Sequence, residues 1–433
     1  MNKVETKINI IGAGLAGCEA AFQLSKKGRK VRLIDSKPDK MTPAHHSPLF
    51  GELVCSNSLK SDLLSTASGL LKAELRLLGS VLIEIADSVK VPAGSALAVD
   101  REKFASAITE RINSDENIEF VSKEVDDWNE HEYTIIATGP LTHDGLSKTI
   151  MQKLGDGLHF YDAAAPIIDG ASIDYEKVFT ADRYGKGEGD YVNCPMNKDE
   201  YLAFHSALVS AECAVLKEFE KSDVFEGCMP VEAMAKRGVD TLRFGPLRPV
   251  GFRDNEGNRP YAVVQLRREN VEGNLFNIVG FQTNLKFPEQ KRVFSLIPAL
   301  ANAEFLRFGV MHRNTFINAP KTINKHFQTL KYDKTFIAGQ LSGVEGYVES
   351  IMSGLIASLS VDALIDGKEM PVYPETTICG ALCRYLETPN ENFQPMNANF
   401  GILPPHAERI KDKTAKKIFL SERSIKDLKN GNF

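Results

Sequence analysis

Short apolar runs, each closed by glycine, set the rhythm of the chain. Residues 8–11 (Ile-Asn-Ile-Ile) predict a strand, and a helix-forming stretch follows as far as Lys27. Gly28 stops that helix, and residues 31–35 (Val-Arg-Leu-Ile-Asp) predict a second strand. The turn between the first strand and the helix reads Gly12-Ala13-Gly14-Leu15-Ala16-Gly17, and Asp35 stands 18 residues beyond the third glycine. This strand–turn–helix–strand–acid order suits a dinucleotide. The glycines allow a tight turn, close approach of a pyrophosphate and close helix packing, while the helix N-terminus offers unpaired N–H groups to the phosphates. Asp35 is placed to accept hydrogen bonds from ribose hydroxyls. Two later apolar runs also end in glycine, residues 133–139 (through Thr138-Gly139) and 335–340 (through Gly339-Gln340). The second continues through Gly343-Val344-Glu345-Gly346 into a helical stretch from Tyr347 to about Ile365. In the middle, residues 199–220 predict a helix with Leu202, Leu208, Val209, Ala211, Val215, Leu216 and Phe219 on its apolar face, and 262–266 and 277–280 predict strands.

A strand ending in Ala-Thr-Gly and another ending in Ala-Gly before a helix resemble the second and third nucleotide signatures of two-dinucleotide-type flavoproteins. The resemblance implies FAD, held by Gly12, Ala13, Gly14, Leu15, Ala16, Gly17, Asp35, Thr138, Gly139, Gly339, Gln340, Gly343 and Val344. It also aims the positive end of the last helix at the flavin pyrimidine ring. The expected fold is α/β: a two-dinucleotide-type FAD-binding Rossmann-like fold, discontinuous over 1–140 and 330–433, with a mixed α/β domain of residues 141–329 inserted.

Composition narrows the class. The 433 residues, 43% hydrophobic and 25% charged, exclude a disordered chain, a collagen-like repeat and a small disulfide scaffold. Residues 350–361 form an apolar run of only 12, short of the roughly 20 a membrane span needs. No secretory pattern is visible at the acid-containing start, and seven scattered cysteines suit reduced thiols in a cytoplasmic protein. No metal site is expected, because Cys379 and Cys383 lack a second ligand pair. Cys18 and Cys213 fall in helix-forming runs and are expected to pack.

Charge is unevenly spread. The total of −5 divides into +5 over residues 409–433 and −10 over the rest, and residues 226–268 carry eight basic against five acidic side chains. Either cluster reads as a solvated face or as a surface that tracks a phosphate backbone. Within the second cluster, Cys228 stands in a Gly/Pro turn just before Lys236-Arg237. Cys55 follows a polar loop containing His45 and His46. A thiol beside basic groups carries more of the nucleophilic thiolate.

These segments together resemble the folate- and FAD-dependent tRNA (uracil-5-)-methyltransferases, the TrmFO family. The resemblance runs from about residue 8 to 401 and is carried by segments 12–17, 42–46, 52–59, 91–101, 162–167, 226–238, 259–267, 277–283, 309–319, 338–350 and 392–401. It implies methylation of uracil C5 in structured RNA, with the T-loop uridine 54 of tRNA as the default target. The one-carbon donor would be 5,10-methylenetetrahydrofolate, and FAD would be reduced by NADH or NADPH. A uridine of 23S ribosomal RNA is the alternative target. A flavin disulfide reductase and a non-catalytic RNA-binding flavoprotein are the alternatives of another class, the former disfavoured because Cys18 and Cys55 are not spaced as a redox pair. By the same resemblance Cys228 attacks C6 of uracil and Cys55 is a second thiol near the flavin, with the two roles exchangeable. His312, Asn284, Lys286, Arg267 and Glu345 are its weaker candidates for folate binding or proton relay.

Overall fold

The computed structural model describes residues 6–42, 45–155, 157–163, 165–182, 190–214, 229–270, 272–309, 311–391, 393–406, 410 and 412–431. The first half of the larger body contains β1 (Ile8–Ile11), α1 (Leu15–Lys26), β2 (Val31–Asp35), α2 (Ala67–Leu77), α3 (Arg101–Ser114), β3 (Ile118–Ser122) and β4 (Thr134–Ile136). The smaller body follows with β5 (Ile167–Asp169), β6 (Phe179–Thr180), β7 (Val192–Met196), α4 (Lys198–Ser210), β8 (Ala262–Arg268), β9 (Leu275–Ile278) and β10 (Phe305–Arg307). The chain then returns to the larger body with β11 (Thr335–Ile337), α5 (Tyr347–Ile365), α6 (Ile378–Glu387) and α7 (Lys413–Asn430).

The larger body is built on a parallel sheet in the order β11-β4-β1-β2-β3. Such a sheet is covered on both faces at its centre, and the inner strands β1 and β4 are accordingly rich in isoleucine and buried along nearly all their length. Helices α1 and α5 cross beneath it at very close range: a side chain on Gly354 would bring its Cβ within 2.1 Å of the Ala16 carbonyl oxygen. Helix α5, with 19 residues, is long and apolar enough to cross a membrane by composition, beyond the 12-residue run counted from sequence, but 67% of its most apolar window is buried inside the protein. The core of this body extends to Leu146 and Ile150, and it resumes at Phe316.

The smaller body has an antiparallel sheet in the order β6-β7-β8-β9-β5-β10 and its own core around Tyr201, Phe204, Leu266, Phe276 and Phe281. An antiparallel pair, Gly157–Ala163 with Met311–Ile317, lies where the chain enters and leaves this body.

Three local readings change. The helix expected over 199–220 ends at Ser210: Ala211 turns to extended backbone, Cys213 bridges Leu285, and the Ala214 amide donates to the Asn284 carbonyl at 2.8 Å. Pairing with a distant segment thus overrides helical periodicity, and Cys213 is not helical. On the helix itself Tyr201, Phe204 and Leu208 are buried, while Leu202, assigned to the apolar face, is exposed. Residues 215–220 of that expected helix lie outside the described residues. The strand expected at 277–280 runs instead over Leu275–Ile278, closed before Gly280, whose φ of +79° leaves the extended region.

Two buried acids act as helix caps rather than ion-pair partners. Glu74 accepts from the amides of Ile378 (2.8 Å) and Cys379 (2.9 Å) at the start of α6, and from the Ser424 hydroxyl of α7 at 2.5 Å. Glu19 does the same for the helix start at Ser80–Leu82. A carboxylate over free N–H groups satisfies donors the helix itself cannot.

Candidate active site

The carboxyl ends of the five parallel strands open onto one elongated cleft, the place where a doubly wound sheet receives its ligand. Its walls include Gly12 and Gly14 after β1, Asp35 ending β2, Thr138 and Gly139 after β4, and Gly339 and Gln340 after β11. Leu15 and Ala16 of α1 complete the floor. Three glycines of the first turn serve three purposes. Gly12 has φ +108°, and a Cβ there would lie 2.4 Å from the Ala137 carbonyl oxygen. A Cβ on Gly17 would lie 1.8 Å from the Gly12 carbonyl oxygen, so α1 seats on the turn only without a side chain at that point. Gly14 has an ordinary φ of −79° and caps α1 with no side-chain hydrogen bond. A Cβ on it would meet nothing within 4 Å. Open space over an uncapped helix N-terminus is what a pyrophosphate requires, so the residues fit FAD.

Asp35 is already tied to the turn: its carboxylate accepts from the amides of Ala13 (2.6 Å) and Lys37 (2.9 Å). The remaining expected cofactor residues stand behind the wall. Ala13 is buried, Gly343 packs so that a Cβ would lie 2.6 Å from Phe393, and Val344 bridges Met396. Lys37, His45, Glu52 and His143 also line the cleft and were not singled out from sequence. On its rim Glu124, Asp126 and His143 bring three possible ligand atoms within 4.8 Å, but Lys40 already pairs with Glu124 at 2.5 Å and Asp126 is exposed.

The thiol side of the site is assembled from both bodies. Cys55 is half-buried, next to the cleft-lining Val54. The Tyr347 hydroxyl, at the start of α5, accepts from the amides of Cys55 (2.7 Å) and Ser56 (3.2 Å), and burial pushes this phenol's pKa up. From the opposite side Arg267 of β8 donates to Asn57 Oδ1 (2.9 Å) and Ser56 Oγ (2.6 Å). Asn57 in turn donates to the carbonyls of Val99 (3.0 Å) and Arg268 (2.8 Å). The loop holding Cys55 is therefore clamped between a Tyr of the larger body and an Arg of the smaller one. Four further thiols are buried away from the cleft: burial raises the pKa of Cys18, Cys194 and Cys379, and pushes Cys383 to about 12.

Cys228 lies outside the described residues, but both flanks of its segment attach to one stretch of chain. The Ala214 amide donates to Asn284, and the Val231 amide donates to Gln282 at 2.7 Å. Glu232, buried with its pKa raised by desolvation, accepts from Thr283 Oγ1 and the Asn284 amide, both at 2.8 Å. Asn284 thus serves that junction, its Nδ2 donating to the Ala214 carbonyl at 3.3 Å. Lys286 is exposed and paired with Glu212 at 2.6 Å. Glu345 is buried beside the cleft and accepts from Gln340 Nε2 at 2.6 Å. The backbone of His312 pairs with Asp162.

The basic clusters separate in space. In 226–268, Lys236, Arg237, Arg248, Arg253 and Arg259 are exposed. Arg243 is spent on Asp240 (2.6 Å) and on the ring of Tyr261 (3.7 Å), and Arg267 points inward. In α7, Lys413, Lys416, Lys417, Lys426 and Lys429 are exposed, opposite the buried Leu420 and Leu428.

Sheet order, glycine turns and cleft define a two-dinucleotide-type flavoprotein fold. Solved structures agree: Aquifex aeolicus GidA superposes with a TM-score of 0.72 at 15% identity, covering 99% of this chain and 73% of that one. A second crystal form of the same protein gives 0.69 at 16% identity, covering 98% and 78%. The family model for glucose inhibited division protein A matches residues 7–369. Closer in sequence are proteins named methylenetetrahydrofolate–tRNA-(uracil-5-)-methyltransferase TrmFO. That of Acetivibrio thermocellus is 55% identical over 98% of both chains. That of Ligilactobacillus salivarius is 52% identical over 98% of this chain and 99% of its own. The chain belongs to the TrmFO family.

Proposed function

We propose that the protein is a folate- and FAD-dependent tRNA (uracil-5-)-methyltransferase acting on the T-loop uridine 54. Near-complete alignment at 55% identity with a relative of that name carries the reading, on a chain whose cleft accommodates FAD. Bound FAD would supply the two electrons, drawn from NAD(P)H, that convert a one-carbon unit at the formaldehyde level into a methyl group.

The chain's own residues divide the remaining work. The uncapped start of α1 at Gly14 and the Asp35 carboxylate hold the dinucleotide, while the start of α5 faces the site with its positive end. Uracil C5 becomes nucleophilic once a thiolate adds to C6. We assign that addition to Cys228, and to Cys55 the second thiol, held at a fixed place by Tyr347 and Arg267. The FAD-binding part comprises 1–140 with 330–433, and 141–329 forms the folate and RNA side. Exposed lysines of α7 and the exposed arginines around 236–259 form the surface that meets the RNA backbone.

The test offers tRNA and large-subunit ribosomal RNA transcripts in parallel, with labelled methylenetetrahydrofolate and NADPH, and maps 5-methyluridine by mass spectrometry. Label at tRNA position 54 is the expected result. Methylation of neither RNA by flavin-loaded protein overturns the reading, and label only in the ribosomal transcript moves the target. Loss of the covalent complex with 5-fluorouridine RNA in Cys228→Ala is expected, and its persistence reassigns the nucleophile.

A further inference from the structure

Strand pairing sets four side chains in one row across the smaller body's sheet. Arg267 lies opposite Asn277, Asn277 opposite Ile167, and Ile167 opposite Arg307 across a bulge between Phe305 and Arg307. Residues directly opposite one another on regularly paired strands project to the same face, and Arg307 joins that face by lying near Arg101, Glu269 and Cys55. That face is the one turned toward the Cys55 loop, because Arg267 reaches Ser56 and Asn57 from it. One end of the row is fully used by this contact. The other end is not: Asn277 Nδ2 and Arg307 Nε and Nη2 are buried and have no hydrogen-bond partner among the described residues.

The charges nearby do not settle the account. Glu269, two residues beyond Arg267, lies 2.8 Å from the Arg101 guanidinium at the start of α3. Yet neither its oxygens nor Arg101 Nε and Nη2 complete a hydrogen bond, so this is a close ion pair with poor donor alignment. One carboxylate faces two guanidiniums, which leaves Arg307 as the surplus cation. Burial, then the neighbouring Arg101, lower its pKa to about 10, and the positions of Tyr347 and Cys55 are close enough to bear on it. Buried guanidinium N–H groups left idle are costly unless an acceptor arrives, and native structures rarely leave several such donors together without a use.

We propose that Arg307, with Asn277 beside it, is the oxyanion-binding element of the active site and receives the O4 oxygen of the target uracil. The proposal rests on the reaction given above. When the thiolate adds to C6, an S–C6 bond forms, the C5=C6 electron pair becomes the C4=C5 bond, and the C4 carbonyl pair moves onto O4 as an enolate. When C5 attacks the one-carbon electrophile, the C4=C5 pair is consumed in the new C–C bond and O4 returns to a neutral carbonyl. A base then removes the C5 proton, the C5–H pair re-forms the O4 enolate, and its collapse restores C5=C6 and breaks the C6–S bond to release the thiolate. The negative charge on O4 exists only in these two enolates, and donors fixed in the site stabilise it far more than they stabilise the neutral carbonyl. The unused groups, Arg307 Nε and Nη2 and Asn277 Nδ2, are all donors, as such a site requires. A phosphodiester of the RNA is the other oxyanion that an arginine of this kind could meet, and the two differ in what Arg307 changes.

The experiment uses FAD-loaded full-length protein, methylenetetrahydrofolate, NADPH and a T-arm RNA carrying 5-fluorouridine at the target position, which arrests the reaction as a covalent complex. Arg307→Gln is expected to keep the flavin absorbance and to hold RNA affinity within about twofold. Complex formation at saturating RNA is expected to slow by about 100-fold, the scale of losing one oxyanion donor. Arg307→Lys is expected to recover about tenfold of that loss, and Asn277→Ser to be slowed by about tenfold. Wild-type trapping rates in Arg307→Gln overturn the proposal. So does weaker RNA binding with a reduced salt dependence and normal trapping at saturation, which would make Arg307 a phosphate contact. If Arg307→Gln loses its flavin, Arg307→Lys and Asn277→Ser decide, and normal rates in both overturn the proposal. Failure of the wild-type protein itself to trap the RNA removes the reaction on which the inference stands.

Discussion

The phenol of Tyr347 takes the amide of Cys55 at 2.7 Å, joining the first residue of the longest helix of the larger body to the loop that carries the thiol. It is a positioning contact, made to the backbone rather than to sulfur. Tyr347→Phe removes the acceptor of two part-buried N–H groups, at a cost of about 1–3 kcal/mol. Thermal denaturation should show that loss. Steady-state kinetics should show a lower kcat for methylation with an RNA KM within about twofold, and unchanged kcat would make the contact purely structural.

Gly14 and Gly17 are expected to fail differently. Gly14→Ala places a methyl group in open space at an ordinary backbone angle, so the protein should fold with a near-normal melting temperature and purify with little bound flavin. Gly17→Ala drives a methyl group against the Gly12 carbonyl at 1.8 Å and should destabilise the fold itself, by about 1–3 kcal/mol. Flavin absorbance per mole of protein and melting temperature, measured on both variants, separate the two effects.

Lys72 on α2 is fully buried and donates to the carbonyls of Leu59 (2.8 Å), Ser61 (2.8 Å) and Ser68 (3.0 Å), with its pKa lowered to about 8 by burial. Between about pH 8 and its ordinary 10.5 the unfolded chain therefore binds the proton more fully than the folded one, and stability contributed through this group rises with pH. Denaturant titrations of wild type against the non-titrating Lys72→Met should show the difference moving in favour of wild type across that window, by up to about 3 kcal/mol. A flat difference would place the ammonium at its ordinary pKa.

Replacing Lys413, Lys416 and Lys417 by alanine should weaken RNA binding and flatten its dependence on salt, by about 0.9 in slope for each phosphate no longer neutralised. Flavin content and melting temperature should hold, because all three side chains are exposed. Filter binding between low and moderate salt reads the slope, and an unchanged slope would remove α7 from the RNA surface.

The parts legible in the sequence are those whose chemistry is local. The bounds of β2 and α5 were readable because glycine turns and an acid frame them, and the flavoprotein fold followed from three such turns. What sequence could not show depends on partners far along the chain. The row from Arg267 to Arg307 exists only because β5, formed more than 100 residues before β9, inserts between β9 and β10. The helix expected to reach residue 220 stops at Ser210 because Cys213 and Ala214 pair with Leu285 and Asn284, some 70 residues away. Lys286, a candidate only by family resemblance, pairs with Glu212 at the surface. Tyr347 gave no signal beyond its place as the first residue of a recognised helix.

The basic tail helix is seated by means quite unlike those proposed for its contact with RNA. Leu420 and Leu428 bury against the larger body, while Ser421 donates to the Leu64 carbonyl at 2.5 Å and Ser424 to the Glu74 carboxylate at the start of α6. Hydrocarbon and short hydroxyl bonds respond weakly to ionic strength, whereas lysine–phosphate contacts respond steeply. On the proposed surface, rising salt would therefore release the nucleic acid while leaving the helix docked, so that exchanging one RNA for the next would require no refolding of α7.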